Sequence, residues 1–260
     1  MPERPIALVT GASAGIGREI ARVLASDHDL VITARREPEL RALASELAHT
    51  TVHIVPLDLT DAGGPRRLHE SVAALGLRVD VLVNNAGFGD LGPFVKADPA
   101  RMLRMIQLNV AALTELTGLY LPEMLARKQG RILNVGSVAG FQPGPLMAVY
   151  YATKAYVNSF SEALSYEVAG SGVTVTCLCP GPTRSEFATV AGMAQSNLFT
   201  VGSVADAHSV AVAGVRGMKR GKRLVITGLR NQLLLFGERF VPRSWVIRAV
   251  QWMQQKRHGS

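Results

Sequence analysis

The sequence predicts an α/β fold: a single doubly wound domain with a seven-stranded parallel sheet flanked by helices. Three observations lead there. Short runs rich in Val, Ile and Leu alternate with longer stretches of helical periodicity. Most of these runs are continuously apolar, the mark of strands buried on both faces. A glycine-rich turn joins the first run to the first helical stretch.

The predicted strands are "IALVT" (6–10), "DLVITA" (29–34), "TVHIVPL" (51–57), "DVLVN" (80–84), "RILNV" (131–135), "VTVTCLC" (173–179) and "RLVIT" (223–227). Helical patterns fill 15–26, 38–48, 65–75, 99–127, 150–169 and 204–217. Strands joined through helices imply right-handed crossovers. No linker or internal repeat divides the chain. Residues 1–229 are therefore expected to form one unit, with 230–260 as a helical extension of it.

The 260 residues suffice for one sizeable core, and the mean hydropathy is +0.18. The only cysteines, Cys177 and Cys179, are read as small buried apolar residues on opposite strand faces, poor disulfide partners. They suit a reducing compartment, and a cytoplasmic location is expected. The six histidines show no zinc spacing, so no metal site is expected. "MPERPIALVTGAS" enters a strand at once and is read as carrying no leader. The longest uncharged stretch, 132–153, holds two prolines and three glycines and is no membrane span.

The formal charge is +8. Residues 230–257 hold six Arg/Lys against one Glu, so the tail explains the basicity and no nucleic acid is expected. Apolar residues interleave with these charges. The pattern fits two basic amphipathic helices hinged at Pro242. They are expected to cover a pocket or pack in an oligomer, in preference to lying on an anionic membrane.

"LVTGASAGIGREI" carries Gly11, Gly15 and Gly17, with Ser13, Ala14 and Ile16 between or beside them. Glycines there allow a tight turn and a close approach to a pyrophosphate at the helix N-terminus. An ordinary glycine turn is the plain alternative. At the end of the second predicted strand stand Arg35 and Arg36, where an acidic residue would accept from a ribose 2′-hydroxyl. Guanidinium groups suit a phosphate monoester, which favours NADP(H) over NAD(H). A solvated charge pair is the alternative, and Glu37 follows directly.

Together these residues resemble the short-chain dehydrogenase/reductase family, with its Rossmann fold. "TGASAGIG" resembles its cofactor loop. "LDLT" resembles the stretch in which Asp58, followed by Leu59, holds the adenine amino group. "NNAG" resembles its sheet-stabilising motif, with Asn85, Ala86 and Gly87 lining the cofactor. "LNV" supplies Asn109, "NVGS" Ser137, and "YYATK" the tyrosine and lysine. "CPGPT" resembles the segment beside the nicotinamide, with Pro180, Gly181 and Thr183. Ala14 and Gly136 depart mildly from the family pattern. Every cofactor motif precedes residue 184, so loss of the tail is expected to leave cofactor affinity nearly unchanged.

The family pattern Tyr-x-x-x-Lys selects Tyr150 with Lys154. Residues four apart on a helix share a face, whereas Tyr151 is turned about 100° away and reads as a core aromatic. A free phenol is a poor base at neutral pH. An ammonium some 4 Å away would favour phenolate by roughly 4 kcal/mol, or about 3 pKa units. Ser137 would donate to the developing oxyanion. The resemblance implies that Lys154 also holds the nicotinamide ribose, and that Asn109 anchors a water linking Lys154 to solvent. A satisfied core asparagine is the equal alternative.

Residues 184–202 correspond to a mobile substrate flap in the family. Phe187, Met193, Leu198 and Phe199, with Phe141, Leu146 and Met147, suggest an apolar carbonyl or alcohol substrate. The expected activity is an NADP(H)-dependent oxidoreductase, assembled as a homodimer or homotetramer. A non-redox epimerase or dehydratase would fit a different loop and a longer chain. A cofactor-sensing binding protein would not need the full catalytic set.

Overall fold

The computed structural model describes residues 4–193, 195–200 and 204–255. Of the flap stretch, Ala194 and residues 201–202 lie outside these, as do Lys256 and Arg257 of the basic tail. The apolar runs form strands β1 (Ile6–Thr10), β2 (Asp29–Ala34), β3 (Val52–Pro56), β4 (Val79–Asn84), β5 (Gly130–Val135) and β6 (Val173–Cys179). Two-residue strands β7 (Thr183–Arg184) and β8 (Ala205–Asp206) pair with each other, and β9 (Leu224–Ile226) follows. The main sheet has seven strands in the order β3-β2-β1-β4-β5-β6-β9, all parallel. The order reverses between β1 and β4. That crevice, at the carboxyl ends of the strands, is where such sheets bind ligands.

The helices are α1 (Gly15–Leu24), α2 (Glu37–Glu46), α3 (Gly64–Ala74), α4 (Pro99–Ile106), α5 (Leu113–Arg127), α6 (Ala148–Glu167), α7 (Glu186–Val190), α8 (Asn197–Thr200), α9 (Ala207–Lys219), α10 (Leu229–Gly237) and α11 (Arg243–Gln254). Alternation along the strands sorts the core into two layers. Ala7 and Val9 of β1 pack with Ile20, Leu24, Leu40 and Val215, from α1, α2 and α9. Leu8, between them, faces Leu68, Leu116 and Met124, from α3 and α5.

Three details differ from the sequence reading. The helix expected over 99–127 is broken by a π-helical segment at Gln107–Ala112, which contains Asn109. Such bulges turn one side chain out of helical register and recur at functional sites. Second, Cys177 and Cys179 do not point to opposite faces. Residues two apart on a strand share a face, and the two free thiols lie 3.5 Å apart, buried. Third, short helices α7 and α8 and the end of strand β7 occupy the flap stretch, where no element was expected, and β8 replaces the start of the helix expected over 204–217.

The tail forms α10 and α11, separated by a 3-10 turn at Glu238–Phe240 and by Pro242, close to the expected hinge. Val246, Val250 and Met253 of α11 pack with Met147, Tyr151 and Met193. One face of α11 is thus part of the protein's third apolar cluster.

Candidate active site

A cavity of about 540 Å³ opens at the crevice. It brings together nearly every residue singled out from the sequence: Gly11, Ser13, Ala14, Gly15, Ile16, Arg35, Arg36, Asp58, Leu59, Asn85, Ala86, Gly87, Ser137, Tyr150, Lys154, Pro180, Gly181 and Thr183. Gly17 and Asn109 stand behind the wall instead.

The glycine cradle is built by close approach. Gly11 has φ +67°, and a Cβ on it would lie 2.9 Å from Ala86 Cα. A Cβ at Gly17 would lie 2.5 Å from Gly11 O. Asn85 Nδ2 donates to Thr10 O and Gly11 O at 2.9 and 3.2 Å. Thr10 Oγ1 accepts from Asn85 N and Ala86 N at 2.9 and 3.0 Å, tying the ends of β1 and β4. Helix α1 begins after Ala14, with no side-chain cap and no acid in its first turn. Its first amides are therefore open to an anion, as a dinucleotide pyrophosphate requires.

At the far end, Arg36 Nη2 lies 3.3 Å from Ser13 Oγ and 2.8 Å from Glu186 Oε2. Arg35 Nη1 lies 3.7 Å from Asp58 Oδ2. Both guanidinium groups stay half-exposed or more at the cavity rim. Burial raises the Asp58 carboxyl, but hydrogen bonds from Thr60, with Arg35 and Arg104 nearby, hold it below the usual carboxylate range. Asp58 Oδ1 is taken by Thr60 N and Oγ1, at 2.9 and 2.7 Å.

The reacting end is more apolar. Tyr150 and Lys154 lie one turn apart on α6. Lys154 Nζ donates to Val135 O at 2.7 Å and sits 5.9 Å from the Tyr150 ring centre. Burial pushes the Lys154 ammonium down to about 8, against a smaller opposing pull from Cys177 and Cys179. Burial likewise pushes the Tyr150 phenol up, countered by a hydrogen bond with Ser137. The expected lowering of Tyr150 by Lys154 does not register: the ammonium, 5.9 Å from the ring centre, is not among the groups that shift the phenol, and desolvation dominates. The phenol is held neutral.

Asn109 is spent on its neighbours. Its Oδ1 accepts from Phe88 N at 3.1 Å, and Nδ2 donates to Phe88 O at 2.9 Å and Thr153 Oγ1 at 3.1 Å. Of the two readings, the side chain matches the satisfied core asparagine. It fixes the strand end beside Gly87.

One positioning residue escaped the sequence reading. Asn158, one turn after Lys154, brackets the backbone of Ser137. Its Nδ2 donates to Ser137 O at 3.0 Å, and its Oδ1 accepts from Ser137 N at 3.4 Å. The Cys179 and Cys177 thiols approach the same Oδ1 at 3.3 and 3.5 Å. A Cβ at Gly136 would fall 2.1 Å from Asn158 Oδ1, and one at Gly140 would fall 2.4 Å from Nδ2. The departure at Gly136 was the available signal, since it marks the space Asn158 fills.

The apolar wall holds Phe187, Met193, Leu198, Phe199 and Met147 as expected. Leu146 is not part of it, and Phe141 lines a different cavity. Met253 and Gln254 of α11 join the wall unanticipated. Tyr151 is buried, and its hydroxyl accepts from Gln254 Nε2 at 2.6 Å.

A family profile described as short chain dehydrogenase matches residues 5–195. The chain belongs to the short-chain dehydrogenase/reductase family. It is therefore an oxidoreductase of the class acting on CH–OH and C=O groups. An uncharacterized oxidoreductase of Myxococcus xanthus is 35% identical over 218 residues, covering 83% of this chain and 84% of that one. Among solved structures, a short-chain dehydrogenase from Sphingobium yanoikuyae in complex with NADPH superposes with a TM-score of 0.81. It is 34% identical, and the match covers 91% of this chain and 94% of the other. The bulky-bulky ketone specific alcohol dehydrogenase from Comamonas testosteroni gives 0.76 at 28% identity, over 98% and 97% of the two chains.

Proposed function

We propose that this chain is an NADP(H)-dependent carbonyl reductase or alcohol dehydrogenase for an apolar substrate, with Tyr150 as acid/base. The observation that carries the reading is the cavity itself. One end has a glycine cradle, an uncapped helix and two arginines. The other has Tyr150, Ser137 and Lys154 facing an aromatic and methionine wall. The NADPH complex of the Sphingobium relative supports the cofactor choice, and the Comamonas enzyme's bulky ketones agree with the wall.

The cofactor, when bound, supplies or accepts the hydride. The chain does the rest. Ser137 Oγ accepts from Ala139 N at 3.0 Å and donates only over a long 3.5 Å to Pro180 O, a bond that a substrate carbonyl oxygen can replace. Tyr150 then gives its proton to that oxygen as charge develops. The neutral phenol suits reduction. Lys154, charged below about pH 8, stabilises the phenolate left behind. The exposed Phe94, Val95, Leu103 and Ile106 in and before α4 suit a homo-oligomer contact.

Absorbance at 340 nm, with NADPH and a panel of lipophilic ketones and aldehydes, tests the activity. Arg35→Asp with Arg36→Ala should weaken NADPH binding far more than NADH binding. Equal affinity of the unaltered protein for both cofactors would sink the NADP assignment.

A further inference from the structure

The outer face of the C-terminal helices has no role in the site described above. Leu229, Leu233, Phe236 and Phe240 recur at steps of four, three and four residues and are 70%, 63%, 59% and 75% exposed. That spacing makes one stripe along α10 and the turn after it. The Phe236 and Phe240 rings pack edge to face at 5.5 Å. Helix α11 carries Trp245 and Trp252, seven residues apart, with exposed Arg248 between them. Rows of large bare apolar side chains on a soluble surface mark a contact.

A second cavity, of about 850 Å³, lies between this unit, α9 and β9. Its floor includes Leu224, Ile226 and Val246. Five cations line it: Arg216, Arg220, Lys222, Arg239 and Arg243, against the single acid Glu238. None of the five has an ion pair or side-chain hydrogen bond among the described residues. Elsewhere, arginines such as Arg22, Arg101 and Arg127 are paired with carboxylates.

These observations select the occupant. A second copy meeting this face about a two-fold axis would set the unpaired cations against themselves. A small soluble anion would satisfy the cations and leave the Trp, Leu and Phe rows bare. A surface both anionic and apolar answers both. No helix among the described residues is long and apolar enough to cross a membrane, so the contact lies at the surface. We propose that α10, α11 and the cationic cavity beside them dock the protein on an anionic phospholipid bilayer. The apolar rows enter the interface, and the five cations pair with headgroup phosphates. Helix α11 then serves two sides at once, because its inner residues Met253 and Gln254 line the active-site cavity.

Both tryptophans of the chain lie on α11, so intrinsic fluorescence reports on this face alone. The full-length protein should show a blue shift, and quenching by lipids brominated in the acyl chain, on phosphatidylcholine vesicles containing one part in three phosphatidylglycerol. Pure phosphatidylcholine should give little of either, and high salt should release part of the bound protein. Arg216→Ser with Arg220→Ser should weaken vesicle binding about tenfold or more. Leu233→Ser with Phe240→Ser should abolish the quenching, with the melting temperature reporting that each variant folds. The proposal is overturned if anionic vesicles leave the fluorescence unchanged. It is also overturned if soluble glycerol phosphate alone reproduces the shift. A smaller particle in lipid-free buffer after Leu233→Ser with Phe240→Ser would assign the face to a second copy instead.

Discussion

Two adjacent tyrosines on α6 both line the cavity, but their hydroxyls have different partners: Tyr150 is hydrogen-bonded with Ser137, and Tyr151 accepts from Gln254. Tyr150→Phe removes only the transferable proton. It should lower turnover by about 10²–10⁴-fold while fluorescence titration shows cofactor affinity intact. Tyr151→Phe should keep most activity and lose some thermal stability, because Gln254 loses its acceptor. Equal activity losses would reverse the assignment. Asn158 acts on the reaction only through Ser137. Asn158→Ala should lower kcat by about ten- to a hundredfold, with substrate KM and cofactor affinity changing far less. Gly136→Ala alone should be as harmful, since its Cβ meets Asn158 Oδ1 at 2.1 Å. The double variant should be no worse than the worse single one, because the closest clash is gone and only Cys177 Sγ, at 2.9 Å, stays near the added Cβ. Additive losses in that double-mutant cycle would separate the two residues.

Elements couple the tail to the site in two distinct ways. Helix α11 packs on Met147, Tyr151 and Met193 and closes the substrate end. Helix α10 meets the cofactor segment: a Cβ at Gly181 would lie 2.3 Å from Asn231 Nδ2, and that Nδ2 donates to Thr227 O at 2.7 Å. This contact gives the tail a route to the cofactor segment that motif order in the chain does not reveal. A chain ending at residue 241 should bind NADPH as before and show a raised substrate KM. One ending at residue 229 should lose NADPH affinity as well. Identical NADPH binding by both truncations would show that the Asn231 contact is inert.

The sheet is joined through its middle by buried polar side chains. Asn84 Nδ2 donates to Thr117 Oγ1 and to Asn134 Oδ1, and Asn134 Nδ2 donates to Ser161 Oγ. Lys154 sits in the same half of the molecule as a buried cation. Its folded pKa, about 8, lies below the unfolded value of a lysine. Between those two values the unfolded chain holds a proton that the folded chain has lost, so stability rises with pH across that window. Falling pH removes the contribution as the buried amine is charged. Denaturant unfolding of the unaltered protein and of Lys154→Met, from pH 7 to 10, should show the difference moving in favour of the unaltered protein. The gain is at most about 3 kcal/mol. A pH-independent difference would place the Lys154 titration elsewhere.

Strand runs, glycine spacing and the order of motifs are local in the chain, and the parallel sheet and most of the cofactor cavity were legible in them. Apolar runs leave a strand only one way to be buried, and glycines at a turn admit few backbones. That Ser137, Tyr150 and Lys154 would line one cavity was legible through the family motifs, with helix period pairing Tyr150 and Lys154. The remainder depended on packing between distant segments. Asn158 braces Ser137 across 21 residues, and Gln254 reaches Tyr151 across 103. The shared face of Cys177 and Cys179 was misread even though strand period sets it. The protonation of Tyr150 and Lys154 was decided only in three dimensions. Proximity to a charge can be estimated from spacing, but desolvation depends on everything that surrounds the group once the chain has closed around it.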